Sequence, residues 1–188
     1  VSAAEGITDK LVTTSSLAAQ GASAYTDQFA EVVAVHRGIV EGIIPTSNQQ
    51  KVLDEVNALH AAKLLVYDFA HLRIAVNGEN DLDIKELTQK TFNAILSYGE
   101  RISALIISRF VDATLLDSRN FIKTIGGTSS SVDYAATYAA VQQAFSVANQ
   151  RSVVPGFIAS AVDSGEITTL GRGGSDFSAA LIGAALRV

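Results

Sequence analysis

The stretch that decides the fold is Thr168-Thr169-Leu170-Gly171-Arg172-Gly173-Gly174-Ser175-Asp176, followed by Phe177-Ser178-Ala179-Ala180. A short β-type run, 167–170, enters a glycine-rich turn, and a helical pattern with small residues on its packing face leaves it over 175–187. Three glycines in six positions let the backbone take positive φ and come close to a ligand. The helix that follows offers unpaired N–H groups and the positive end of its dipole, so such a turn suits an anion. Arg172 adds a fork of donors matched to a carboxylate or phosphate. Ser175 and Asp176 read in two ways: as caps of the helix in a turn without function, or as ligand contacts, Asp176 toward an amine or metal. Neither standard phosphate fingerprint fits, because a Walker loop needs Gly-Lys-Ser/Thr and the dinucleotide motif needs glycine where Asp176 stands.

Working outward, 113–119 (ATLLDSR) and 152–160 (SVVPGFIAS) are short apolar runs of strand type, with a helical stretch, 134–149, between them. A turn is expected at 163–166. Strand, helix, strand, glycine-rich turn, helix is the pattern of an α/β domain. The first part of the chain reads as helix instead. Thr26 can cap a segment carrying Phe29, Val33, Val40 and Ile43, and Pro45 interrupts it. Ser47 with Gln50 fits a capping box for a helix bearing Val52, Val56, Leu59 and Lys63 and running to about Val76. A polar turn at 77–83 and a helix begun by Asp83 and Glu86, running on into 98–110, complete a largely helical insertion over 17–96.

Two further stretches carry polar residues at suggestive places. Ser2-Ala3-Ala4-Glu5-Gly6-Ile7-Thr8-Asp9 is a small-residue turn between a strand end and a helix, with Thr8 or Asp9 as the expected N-cap. Glu100, beside Gly99, sits in an otherwise apolar helix and shares a face with Ser103. A carboxylate there is costly to bury alone. It therefore either reaches solvent or meets a cation: one of the fold, with Arg119 and Arg172 as candidates, or the ammonium of a ligand. His36, His60 and His71 lack any metal-ligand spacing and read as solvated or core-edge histidines; no metal site is expected.

Composition narrows the function. The 188 residues carry 14 Lys+Arg against 19 Asp+Glu, a net charge of −5, with no basic cluster, so neither nucleic acid nor an anionic membrane is expected as partner. Zero cysteines exclude disulfides, thiolate catalysis and Cys-based zinc sites. A mean hydropathy of +0.27 with 18% charged residues excludes a disordered chain. The apolar stretches 104–107 and 179–186 are too short to cross a bilayer. A cytoplasmic protein is the expectation.

Taken together, 2–9, 97–103 (SYGERIS), 154–160 and above all 168–176 resemble aspartate kinase, of the amino-acid kinase fold, over essentially the whole chain. The run 117–124 (DSRNFIKT) resembles most the bifunctional aspartokinase–homoserine dehydrogenases. The resemblance implies a partial three-layer α/β/α fold with the helical insertion, 1–188 being part of one catalytic domain. It implies transfer of the ATP γ-phosphoryl group, with Mg2+, to the side-chain carboxylate of L-aspartate, the first step toward lysine, threonine and methionine. Matched by position, Ser2 and Thr8 would line the aspartate pocket, and Glu100 would take the ammonium. Arg172, Gly174 and Ser175 would hold a carboxylate, and Asp176 would lie beside the reacting centre. Family members open with Lys-Phe-Gly-Gly-Thr-Ser, whose lysine contacts the phosphates. Lys123-Thr124-Ile125-Gly126-Gly127-Thr128-Ser129 has one residue too many to replace it. The expectation is thus a fragment holding the aspartate half of the site, inactive alone, from a homo-oligomeric parent. The alternatives are a non-catalytic helical interaction module and a related kinase of glutamate, acetylglutamate or UMP; Glu100 and the GRGGSD run disfavour the latter.

Overall fold

The computed structural model describes residues 1–61, 82–126, 131–146 and 151–188, with 82–88 described as backbone. Its helices are α1 (Ile7–Ala19), α2 (Tyr25–Ile43), α3 (Thr46–His60), α4 (Leu82–Phe110), α5 (Tyr134–Ser146) and α6 (Gly174–Leu186). The strands are β1 (Thr114–Leu115), β2 (Lys123–Ile125), β3 (Ser131–Val132), β4 (Ser152–Val153), β5 (Ile158–Ala161) and β6 (Ile167–Thr169). Four of them form a sheet in the order β3-β2-β5-β6, with β2 and β5 parallel and both edge pairings antiparallel. β1 and β4 pair in parallel beside it. Val1 extends this ladder: its nitrogen donates to the Val154 carbonyl at 2.8 Å, and its carbonyl accepts from the Gly156 N–H at 2.8 Å.

Two cores flank the strands, which gives the three layers. One gathers Ile7, Leu11, Val32, Val40, Val56, Ile95 and Ile102 from the first four helices, with α4 lying across β1, β4 and β6. The other gathers Phe121, Ile122, Val141, Ala159 and Leu181 under α5 and α6. The expected α/β fold with a helical first part is therefore present. His71, Lys63 and the turn residues 77–81 lie outside the described residues.

Details depart from expectation where tertiary contacts decide. The run 113–119 yields only a two-residue strand before a 3-10 turn at Ser118–Asn120, because Asp117 accepts the Arg119 N–H at 3.1 Å and curls the chain. The run 152–160 splits into β4 and β5 at Pro155-Gly156-Phe157, where Phe157 takes φ +65°. Among the described residues, none of the expected side-chain caps forms, and the side chains of Asp83 and Glu86 lie outside them. The N-caps of α1, α2, α3 and α6 are Gly6, Ala24, Pro45 and Gly173, without side-chain cap bonds. Thr8, Asp9, Thr26, Ser47, Ser175 and Asp176 thus lie one or more residues inside their helices, where a hydroxyl or carboxylate no longer reaches the free amides as a cap does. The buried stripe of α2 runs Val32-His36-Val40, one residue off the Val33 position read from the sequence.

The histidines are the clearest correction. His36 and His60 are not solvated but buried, 0% and 6% exposed, and their Nδ1 and Nε2 atoms lie 3.1 Å apart between α2 and α3. Burial, and for His36 also the neighbouring ring, lowers both to a pKa of about 4, so the pair is neutral at pH 7. They stand 24 residues apart on separate helices, a proximity that no local pattern signals.

Candidate active site

A cavity of about 330 Å3 opens where α1, α4 and α6 converge on the Pro155–Phe157 break. Ser2, Ala3 and Thr8 line it from the first turn, Glu100 from α4, and Arg172, Gly174, Ser175 and Asp176 from the glycine-rich turn. Every candidate residue taken from the sequence is on this one wall. Residues up to 174 positions apart in sequence are brought together.

Two turns of the same build supply the anion-friendly part. At 4–7 the Ile7 N–H donates to the Ala4 carbonyl at 3.0 Å, with Gly6 at φ +73°. At 171–174 the Gly174 N–H donates to the Gly171 carbonyl at 2.9 Å, with Gly173 at φ +76°. Positive φ at the third position is what a type II turn requires, and glycine meets it without strain. The first helical amide of each helix is thereby bonded back into its turn, while the fourth reaches the N-cap carbonyl: Lys10 to Gly6 and Phe177 to Gly173, both at 3.0 Å. The second and third amides, at Thr8 and Asp9 and at Ser175 and Asp176, have no carbonyl partner within their helices. Each pair sits at the positive end of a helix dipole.

Glu100 supplies the opposite character. It is 4% exposed rather than open to solvent, its Oε2 makes no hydrogen bond, and among the described residues no arginine pairs with it. Arg119, one expected partner, is held instead by Asp117 through its Nε at 2.9 and 3.0 Å and through Nη2. Arg172, the other, is exposed and forms no ion pair among the described residues. Burial pushes the Glu100 carboxyl up to about 7, offset in part by backbone hydrogen bonds at its own amide and at Ala3 and by attraction to the Val1 ammonium. A buried carboxylate with an unbonded oxygen beside donors for an anion has the charge pattern that would suit a small molecule bearing both charges.

Packing residues missed in the sequence hold these pieces together. A Cβ on Gly99 would stand 3.0 Å from the Ala3 Cβ and 3.3 Å from Ile7, so its absence lets the first turn lie on α4 next to Glu100. A Cβ on Gly156 would meet the Ser175 backbone at 2.8 Å, and one on Gly174 the Phe157 ring at 2.9 Å. Phe157 thus caps the turn and lines the cavity, its N–H donating to Ser178 Oγ at 3.0 Å. The Pro-Gly-Phe interruption of an apolar run was the available signal. Lys123 lies elsewhere, its Nζ donating to the Arg119 carbonyl at 3.0 Å and to Ser160 Oγ at 2.9 Å.

A three-layer α/β/α fold with a glycine-rich turn at the head of a helix defines a class of small-molecule kinases, and comparison with known families agrees. The family model described as "Amino acid kinase family" matches residues 1–188, and the chain belongs to that family. Within it the chain is similar to aspartokinases. It is 36% identical over 114 residues to aspartokinase 2, chloroplastic, of Arabidopsis thaliana, covering 55% of this chain and 21% of that protein. It is 34% identical over 104 residues to the bifunctional aspartokinase/homoserine dehydrogenase 2 of Escherichia coli K12, covering 52% and 13%. The fold matches the crystal structure of E. coli aspartokinase III in complex with lysine and aspartate, with a TM-score of 0.77 at 24% identity over all of this chain and 40% of that one. The chain's matched stretch spans about a fifth or less of the curated relatives' length. Among the described residues no helix is long and apolar enough to cross a membrane.

Proposed function

We propose that this chain is the aspartate-holding part of an aspartate kinase catalytic domain, with 17–96 as a helical insertion in it. A side-chain carboxylate oxygen of L-aspartate attacks the γ-phosphorus of ATP, the bond to ADP breaks, and 4-phospho-L-aspartate forms. The observation that carries this reading is Glu100, a buried carboxylate with an unbonded oxygen on the wall that also bears the glycine-rich turn. The zwitterionic dicarboxylate asks for one anionic contact and two anion-friendly ones. Glu100 accepts from its ammonium. Arg172, the Ser175 hydroxyl and the free amides at the head of α6 hold one carboxylate, and Ser2 and Thr8 face the other. Asp176 stands beside the amino group and the reacting oxygen.

Phosphoryl transfer needs positioning and charge neutralisation more than a nucleophile of the protein. The cavity's two carboxylates, Glu100 and Asp176, are too few for a dedicated metal cage, and no group of three or more metal-ligating side chains occurs among the described residues. That donor set fits Mg2+ carried mainly by the phosphates of ATP. A homo-oligomeric cytoplasmic parent belongs to the same proposal.

Calorimetric titration with L-aspartate, L-glutamate and UMP tests it, followed by ATP-dependent hydroxamate formation in the parent protein. Aspartate alone binds saturably, and binding strengthens from pH 5 to 8 as Glu100 gives up its proton to meet the ammonium. Equal binding of glutamate or UMP overturns the substrate assignment. Unchanged affinity in both Glu100→Gln and Arg172→Ala would leave the helical interaction module as the better description.

A further inference from the structure

A second and larger cavity, about 410 Å3, lies between α3, α4 and the β1 end of the sheet. Its walls are mostly apolar: Leu59 from α3, Leu105 from α4, Leu115 from β1, and Pro155. That volume is within the range of small-molecule sites, and an apolar wall with one placed charge is their usual construction. The charge here is Arg101. The two acids at the rim are already taken, Glu55 by Arg109 Nε at 2.9 Å and Nη2 at 2.6 Å, and Asp117 by Arg119. Arg101 has no carboxylate within ion-pair distance among the described residues; its contact is the Tyr98 ring, with the guanidinium carbon 4.7 Å from the centroid.

We propose that this cavity binds a small carboxylate with an apolar body, its carboxylate held by the Arg101 guanidinium and its body packed on Leu59, Leu105, Leu115 and Pro155. Burial, then repulsion from Arg119, holds the Arg101 guanidinium below its ordinary pKa. Tyr98 and Asp117 already offset part of this, and a bound anion would offset more, since a guanidinium fork receives a carboxylate through two donors. An apolar body displaces water from leucine walls. The site is distinct from the one lined by Glu100, yet touches it at two places. Arg101 follows Glu100 on α4, and Pro155 precedes the Gly156-Phe157 pair that packs on the catalytic turn. Occupancy therefore bears on the segment that positions Phe157.

Methyl-labelled NMR of the full chain tests this with two probes of equal shape, 4-methylpentanoate and its neutral amide. The acid shifts the Leu59, Leu105 and Leu115 methyls saturably, and the amide binds about tenfold or more weakly, as loss of a charge-assisted contact requires. Arg101→Met brings the acid down to the amide's affinity; Leu115→Phe, which fills the cavity, weakens both. Equal binding of acid and amide overturns the proposal, as does a shift confined to resonances around Thr8 and Ser175, or no saturation. The wild-type comparison decides even if Arg101→Met fails to fold. Because the reporting methyls belong to this cavity alone, the result stands apart from whether aspartate binds at the other.

Discussion

The turns that open onto the candidate active-site cavity share a backbone and differ in what is attached to it. Each spans four residues, with glycine in the left-handed region at the third position and a helix starting at the fourth. At the second position one carries Glu5 and the other Arg172. At the fourth, one carries Ile7, fully buried in the helical core, and the other Gly174, pressed against Phe157. The first is anchored by driving a side chain into the core. The second is anchored by omitting one, so that the Phe157 ring lies against its backbone. The lesson is that free amides alone do not make these ends equivalent. The sign of the second side chain, negative at Glu5 and positive at Arg172, should make the α6 turn the stronger anion site of the two.

Glu100 faces both turns, and its removal gives the largest expected effect. A carboxyl raised from 4.5 to about 7 holds its proton in the folded state where the unfolded chain has lost it. Its contribution to stability is full below pH 4.5 and is lost as pH rises through about 7. At ~1.4 kcal/mol per pH unit that interval amounts to roughly 3 kcal/mol. Glu100→Gln, a neutral isostere, should match the parent near pH 4.5 and exceed its stability by up to about that amount at pH 8. Urea unfolding across this range checks it; parallel curves would mean the carboxylate is solvated rather than buried.

Close packing under the α6 turn comes next. Gly156→Ala forces a Cβ to within 2.8 Å of the Ser175 Cα, and Gly174→Ala drives one into Phe157 and Leu170. Overpacking of this kind costs about 1–3 kcal/mol, so both variants should unfold at lower urea with unchanged m-value. Gly99→Ala, whose nearest contact is the Ala3 Cβ at 3.0 Å rather than an atom at 2.8 or 2.9 Å, should cost less. A Gly156→Ala variant as stable as the parent would show that the turn is not wedged against the strand break.

Much of this site was legible in the sequence because its residue types are distinctive. Glycines in a short polar run, an arginine among them, and a glutamate inside an apolar helix are each anomalous where they stand. Convergence of three anomalies on one function required only the family resemblance, and the cavity brings all of them together. Phe157 and Gly99 were not legible, since an aromatic or a glycine gains its role from what lies across a tertiary contact. The same holds for the His36–His60 pair, whose partners are on different helices. Caps were misread for a more local reason: Ser, Thr and Asp also stand within the first helical turn, and at α1 and α6 a left-handed glycine had already closed the turn. Strands β2 and β3, three and two residues long, went unread, whereas the equally short β1 and β4 were read because they sit inside longer apolar runs.

The charge difference between the turns gives a sharper test than either turn alone. Arg172→Ala removes the cation beside the α6 amides and should weaken aspartate binding about 10- to 100-fold, the value of one hydrogen-bonded charge. Glu5→Ala, at the matching position, should change affinity less than about twofold, because an exposed charge is screened. Calorimetry on the pair separates them. Equal effects would mean that affinity comes from overall potential rather than from a contact at Arg172.

The smallest effect concerns what the turns share. A Cβ on Gly6 or Gly173 meets nothing within 4 Å, so alanine at either place brings only the strain of a left-handed backbone. That strain is about 1–2 kcal/mol for each, and it should be the same at both. Gly6→Asn and Gly173→Asn should recover part of it, since asparagine tolerates this region. Thermal unfolding of the four variants reads the comparison directly. If Gly173→Ala costs clearly more than Gly6→Ala, the α6 turn carries strain beyond its dihedrals, transmitted from the packing of Gly174 on Phe157, and the two turns are alike in trace only.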